Sequence, residues 1–302
     1  MRSRALTSDA ILLLTAAIWG FAFAFQRIGM EHIGPFLYTA LRFSLGAIVL
    51  APMWRKNARR FPTVSLRRIL IAGCFAGCFL FFGVTFQQVG IVYTTAGKAG
   101  FITGLYVVLV PIIGLFFHRR AHTGGWIGAI LAIAGLYFLS VVGFASGGSG
   151  DSESINRGDL FVSASAFFWA AHVIVLDRYA NHLPFIPFAT TQYVFCALLS
   201  GVVAIFAAPI DLSKIFDAAI PILYGGAVSV GIAYTLQIVG QRSAPPTHAA
   251  IILSLEGVFA AIGGLIILGE RLSPIEIAGC ALMLGGMLVS QLTLRRSAVR
   301  EN

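Results

Sequence analysis

The chain has 302 residues, 58% of them hydrophobic and only 11% charged, with a formal net charge of +9. Soluble domains hold about 45–50% apolar and about 25% charged residues, and a chain of this length could not hide so large an apolar share from water. The composition therefore excludes a water-soluble globular protein and makes lipid the solvent. The positive charge reads as the basic loops of a membrane protein rather than as a nucleic-acid-binding surface. Cys74, Cys78, Cys196 and Cys280 all lie in apolar runs. They read as small packing residues, not as a zinc site or a disulfide framework.

A spanning helix needs about 20 mostly apolar residues. Taken in chain order, such runs fall at 8–29, 35–54, 69–89, 94–117, 124–144, 158–177, 185–208, 217–240, 246–268 and 273–294. The spacing thus predicts an all-α integral membrane protein of ten transmembrane helices. The first run follows Arg2 and Arg4, lacks a small-residue cleavage site and continues through Trp19 to Gln26, so it is expected to be retained as a helix. Most linkers are short. The segment 55–68 is basic, and the segment 146–157, rich in Gly and Ser, divides the chain near its middle. With the N-terminus inside, the inner segments carry Arg2, Arg4, Arg55, Lys56, Arg59, Arg60, Arg67, Arg68, Arg119, Arg120, Arg178, Arg242, Arg295, Arg296 and Arg300. The outer segments carry only Arg157, Lys214 and Arg271. That asymmetry predicts both termini in the cytoplasm.

The halves align on themselves at an offset of 150 residues. Asp9 meets Asp159, Trp19 meets Trp169, Thr85 meets Thr235, Gln87 meets Gln237 and Gly90 meets Gly240. Apolar runs match one another easily by chance, but shared Trp, Gln and Asp at one offset do not. The expected organisation is a first repeat over 1–145 (spans 1–5), the linker 146–157 and a second repeat over 158–302 (spans 6–10). Five spans is an odd number, so the second repeat is expected upside down relative to the first. Inverted repeats are a signature of transporters, in which two similar halves rock about a central site.

The segments TTAGKAGFITGLYVVLVP at 94–111 and GWIGAILAIAGLYFLS at 125–140 have counterparts in LSLEGVFAAIGGLIILGERL at 253–272 and IEIAGCALMLGGMLVS at 275–290. With the Trp19–Gly20 pair and the Gly-Glu-Arg element at 269–271, these resemble EamA-type permeases of the drug/metabolite transporter superfamily over essentially the whole chain. The resemblance implies ten helices, a cavity lined by helices 1–4 and 6–9, and helices 5 and 10 at the periphery. It also implies a bacterial inner membrane and export of amino acids or other small metabolites, some relatives moving nucleotide sugars or phosphorylated compounds. The chain departs from the pattern at Gly257, where relatives often carry proline, and at Lys98, where an uncharged residue is common.

Ionisable groups at membrane depth are costly and usually face a cavity or a partner. Glu256 lies roughly 15 Å along its helix from Pro246, near the bilayer midplane. It reads as a proton-coupling or substrate-amine site, or as a carboxylate paired with Arg42 or Lys98. Its repeat mate Tyr106 can donate a hydrogen bond at matching depth. Lys98 and its mate His248 are expected at opposite ends of one pathway, Lys98 to hold a carboxylate or phosphate or to reach the headgroups. Arg42, about two turns into its helix, can grip a carboxylate with two prongs or bridge to Glu256. Gln87, Gln88 and Gln237 offer neutral donors and acceptors, to a substrate or between helices, and His172 reads as a core histidine. Trp19 and Trp169, among many aromatics, suggest a partly aromatic pocket for an amino acid with an apolar side chain. Pro111 and Pro221 are expected hinges.

No phosphate-binding loop, nucleophile elbow or metal-ligand cluster occurs in the sequence, so no catalytic residue, metal or cofactor is expected. The reading is a secondary transporter working by alternating access, an exporter or exchanger of amino acids or related compounds. Anionic or phosphorylated metabolites are the alternative substrates. A membrane-embedded transferase would need clustered acidic or His residues at one face, and a sensor would need a soluble domain. The expected partners are a small-molecule substrate and the lipid bilayer; the oligomeric state stays open.

Overall fold

The computed structural model describes residues 2–59, 64–94, 96–116, 123–138, 157–269 and 274–300. The basic turn at 118–122, Glu270, Arg271 and most of the mid-chain linker lie outside the described residues. Regular structure among the described residues is helical throughout, without a strand. Such an architecture suits lipid, because a helix satisfies its backbone N–H and C=O groups internally.

The first half comprises α1 (Arg2–Met30), α2 (Pro35–Leu50), α3 (Trp54–Ala58), α4 (Leu66–Ile91), α5 (Ala96–Gly104), α6 (Tyr106–Phe116) and α7 (Thr123–Tyr137). The second comprises α8 (Arg157–Tyr179), α9 (Phe185–Ala207), α10 (Leu212–Asp217), α11 (Ala219–Leu223), a π-helical segment (Tyr224–Tyr234), α12 (Thr235–Gly240), α13 (Pro246–Leu253), α14 (Glu256–Ile267) and α15 (Pro274–Arg300). Local chemistry sets several starts. Pro35 and Pro246 stand at first helical positions, where a missing N–H costs nothing. The Ser65 hydroxyl accepts from the Arg68 N–H at 3.3 Å and opens α4.

Seven helical stretches among the described residues are long and apolar enough to cross a membrane. Ile102–Phe116, Thr123–Gly135 and Ile277–Ser290 are shorter apolar helices. Large apolar side chains point outward, among them Phe206, Phe116, Ile48 and Leu198. Arg42, Gln88, Gln192 and Glu256 point inward. A surface this apolar around a core this polar is a membrane protein's.

Packing recurs at an interval of 150 residues. Helix α1 lies against α13 and α14, and α8 lies against α5 and α6. Helix α2 packs on α9, and α7 on α15. Small residues set the closest approaches. A Cβ on Gly20 would stand 2.7 Å from the Glu256 carbonyl oxygen, so glycine lets α1 touch the backbone of α14.

Three spans expected as single helices are divided. Between α5 and α6 the Leu105 N–H bonds back three residues to the Ile102 carbonyl at 3.2 Å. Between α13 and α14 the Leu255 N–H bonds to the Ile252 carbonyl, also at 3.2 Å. Both are tight turns inside a span, 150 residues apart. Neither falls at a proline: Pro111 sits within continuous α6. The third span changes to π geometry over Tyr224–Tyr234, beginning three residues after Pro221. The break in this span therefore lies at Leu105, where the hydrogen-bond pattern changes, and not at Pro111.

Candidate functional site

Where the two broken spans cross α1 and α8, a small cavity lies in the protein interior. Its wall follows from helical spacing. Trp19, Phe23 and Gln26 stand at i, i+4 and i+7 on α1 and share one face; Trp169 and Val173 repeat the first two places on α8. Arg42, Gln87 and Tyr106 complete the first half's share. Ser229, Tyr234, Gln237, Leu253 and Glu256 complete the second's.

Aromatic rings form one side. Tyr234 lies 4.6 Å from Trp19 and 5.9 Å from Trp169, and the two tryptophans stand 6.3 Å apart, centroid to centroid. Phe82, Phe86 and Phe168, also in the aromatic group the sequence draws attention to, stack on one another outside the cavity wall.

The polar side is unusual for its unspent hydrogen-bonding capacity. Arg42 is 1% exposed, and its Nε and Nη2 find no acceptor in the protein. Its guanidinium lies 5.2 Å from the Phe43 ring and 5.5 Å from the Tyr38 ring, which hold it in place. The indole N–H groups of Trp19 and Trp169, the Tyr106 hydroxyl and the side-chain oxygens of Gln26 and Gln237 are likewise buried without a protein partner. Buried polar groups in proteins are nearly always hydrogen-bonded, so these groups around one cavity are ones that water or a bound ligand would complete. Glu256 is buried, opens α14 and lies beside the Tyr106 hydroxyl. Among the described cavity-lining side chains Arg42 is the sole cation and Glu256 the sole carboxylate.

The remaining candidates fall elsewhere. Gln87 reaches the cavity but donates through Nε2 to Thr103 Oγ1 at 3.0 Å. His248 lies off the cavity: its Nε2 is 2.9 Å from Asp9 Oδ1 and its Nδ1 3.0 Å from Ser290 Oγ. His172 bonds Gln192 at 2.8 Å, a core pairing. Lys98 stands on α5, but its side chain lies outside the described residues. Among the described residues no salt bridge joins Glu256 to Arg42. Gln26, Ser229 and Tyr234 are wall residues absent from the sequence reading. The heptad-like spacing from Trp19 marks Gln26, and Tyr234 stands three residues before Gln237 on the same face; Ser229 carries no comparable signal, because the π-helical segment alters the facing.

Two polar contacts lie toward the two ends of α1. At its start, Asp9 meets His248. Near its end, Arg27 Nη1 donates to the Thr94 carbonyl at 3.0 Å, and the Thr94 hydroxyl donates to Asp159 Oδ1 at 2.9 Å. Asp9 and Asp159 are 150 residues apart and take part in polar contacts at opposite ends of α1.

The EamA-like transporter family matches twice, over residues 6–141 and 156–291. A protein of Archaeoglobus fulgidus described as an uncharacterized transporter is 31% identical over 295 residues, covering 95% of this chain and 86% of its own. The threonine/homoserine exporter RhtA of Escherichia coli K12 is 26% identical over 272 residues, covering 86% of this chain and 83% of its own. A crystal structure of another protein, 21% identical, covers 96% of this chain and 98% of its own with a TM-score of 0.74, which speaks to the fold alone.

Proposed function

The chain belongs to the EamA-like transporter family, and from that premise we propose that it is a secondary transporter exporting or exchanging small metabolites, amino acids foremost, by alternating access, with no chemical step. The observation that carries this reading is the buried cavity with its unspent donors and acceptors, positioned where two broken spans cross. The relative named as a threonine/homoserine exporter supports the amino-acid assignment.

In this proposal ten spans form two inverted halves in the bacterial inner membrane, with both termini cytoplasmic. Seven long apolar helices and three shorter apolar ones among the described residues support this count. Arg42, Tyr106, Glu256, Gln87, Gln237, Trp19 and Trp169 contact substrate, and Glu256 exchanges protons. Lys98 and His248 serve the two mouths, His248 through its bond to Asp9. Rocking of the halves breaks the Asp9–His248 closure at one mouth and the Thr94–Asp159 closure at the other in turn.

Proteoliposome counterflow tests the function. Vesicles loaded with unlabelled threonine, homoserine or other amino acids are expected to accumulate the labelled compound transiently, and protein-free vesicles are not. Folded protein that exchanges no member of a broad metabolite panel would exclude transport. Topology is tested by cysteine labelling from each side: cysteines placed in 55–68 and in 146–157 are expected on opposite faces. Labelling of both from one side would remove the inverted arrangement.

A further inference from the structure

The cavity wall is nearly twofold in residue position but not in charge. Trp19 answers Trp169, and Gln87 answers Gln237, each pair contributing to the wall. The charged positions break this pattern. Arg42 is answered in the second half by Gln192, whose side chain is already committed to His172 at 2.8 Å and to the Phe188 carbonyl at 3.4 Å. Glu256 is answered in the first half by Tyr106, which carries no charge. One half therefore offers a lone cation and the other a lone carboxylic acid, facing one space. The guanidinium has two unpartnered N–H-bearing nitrogens, Nε and Nη2, arranged as a fork that matches the two oxygens of a carboxylate. Its flanking rings at 5.2 and 5.5 Å restrict it to that pose.

We infer that the site takes a zwitterion in a single orientation, its carboxylate on Arg42 and its protonated amine on Glu256 and the Tyr106 hydroxyl. This inference rests on the transport reading and names its substrate class. A phosphate ester would bring about two negative charges to a wall whose described side chains hold one cation and one acid. A simple cation would leave the buried guanidinium without its anion, and a simple anion would leave the acid without its partner. Only a ligand charged at both ends completes both. The indole N–H groups of Trp19 and Trp169 and the oxygen of Gln237 remain for hydroxyl or amide groups along the ligand.

Ligand analogues on the unaltered protein provide the test, read by tryptophan fluorescence in detergent. L-threonine is compared with 1-amino-2-propanol, which lacks its carboxylate, and with 3-hydroxybutanoate, which lacks its amine. L-phenylalanine is compared in the same way with 2-phenylethylamine and 3-phenylpropanoate, and sugar phosphates are titrated alongside. Charge-assisted hydrogen bonds are each worth on the order of 10- to 100-fold in affinity. At least one parent amino acid is therefore expected to bind 10-fold or more tighter than both of its truncated analogues. Arg42→Gln is expected to erase the advantage of the parent over its decarboxylated analogue, and Glu256→Gln its advantage over the deaminated one. Arg42→Lys, which keeps the charge and loses the fork, is expected to restore part of the first. Truncated analogues or sugar phosphates that bind within threefold of the parent overturn the inference, as does the absence of binding by any of these compounds. Zwitterion binding without counterflow leaves the inference standing and removes the transport reading. Counterflow of other metabolites without zwitterion selectivity does the reverse.

Discussion

Trp19 and Trp169 each bury an indole N–H that no protein acceptor meets. Removing that donor while keeping most of the ring isolates its contribution. Trp19→Phe and Trp169→Phe are each expected to weaken substrate binding about 5-fold, the worth of a net hydrogen bond of roughly 1 kcal/mol. The measurement is substrate concentration dependence of counterflow, with expression and melting unchanged. At His248 the balance is different. Its two ring nitrogens bond Asp9 on α1 and Ser290 on α15, so it ties three helices rather than facing the cavity. His248→Ala leaves those groups without these bonds and is expected to cost about 2 kcal/mol. A thermal melt of the detergent-solubilised protein reads that cost directly; an unmoved midpoint would show that the tie contributes nothing to stability.

Among the elements, the divided spans carry the site. Tyr106 opens α6 and Glu256 opens α14, each just past a tight turn, so the two side chains enter the cavity from helix starts. The close approach of α1 to α14 at Gly20 positions the second of them. Gly20→Ala would press a methyl against the Glu256 carbonyl oxygen and the Ala260 nitrogen, both 2.7 Å from the added carbon. Backbone atoms cannot rotate away, so the helices must part. The expected result is a lower melting midpoint together with a transport loss larger than that of His248→Ala. Pro111 offers the opposite expectation. It lies inside continuous α6 and away from the break at Leu105, so Pro111→Ala is expected to leave the counterflow rate within twofold. A large loss would return the hinge to the proline. The π-helical segment has no counterpart in the first half, where the corresponding residues lie in regular α4. A π-helical run of this length is rare. Here it brings Ser229 and Tyr234 to the cavity.

At the scale of the whole molecule, α1 connects both closures and the cavity between them. Asp9 at its start and Arg27 near its end are separated by roughly 27 Å of helix rise, close to the thickness of a bilayer core. In the proposed alternating-access cycle, movement of α1 relative to α13 at one end, or relative to the Thr94 turn at the other, is the step that opens one mouth at a time.

Much of this was legible in the amino-acid order, because lipid imposes simple rules. Apolar runs of spanning length and the 150-residue offset are one-dimensional signals, and they determined by themselves that this is a helical membrane protein with two related halves. The offset also marked Trp19, Trp169, Gln87 and Gln237, four residues of the cavity wall. Which charged groups stay unpaired is decided only in three dimensions. Arg42 and Glu256 could have neutralised each other, and His248 could have faced the pathway, on any one-dimensional reading. Packing decides such pairings, because a hydrogen bond is made or missed over a few tenths of an ångström between helices distant in sequence. Positions of the breaks in the spans were hidden for a related reason. They follow from the balance of backbone hydrogen bonds against neighbouring helices, and neither Leu105 nor Leu255 carries a local sequence mark of it.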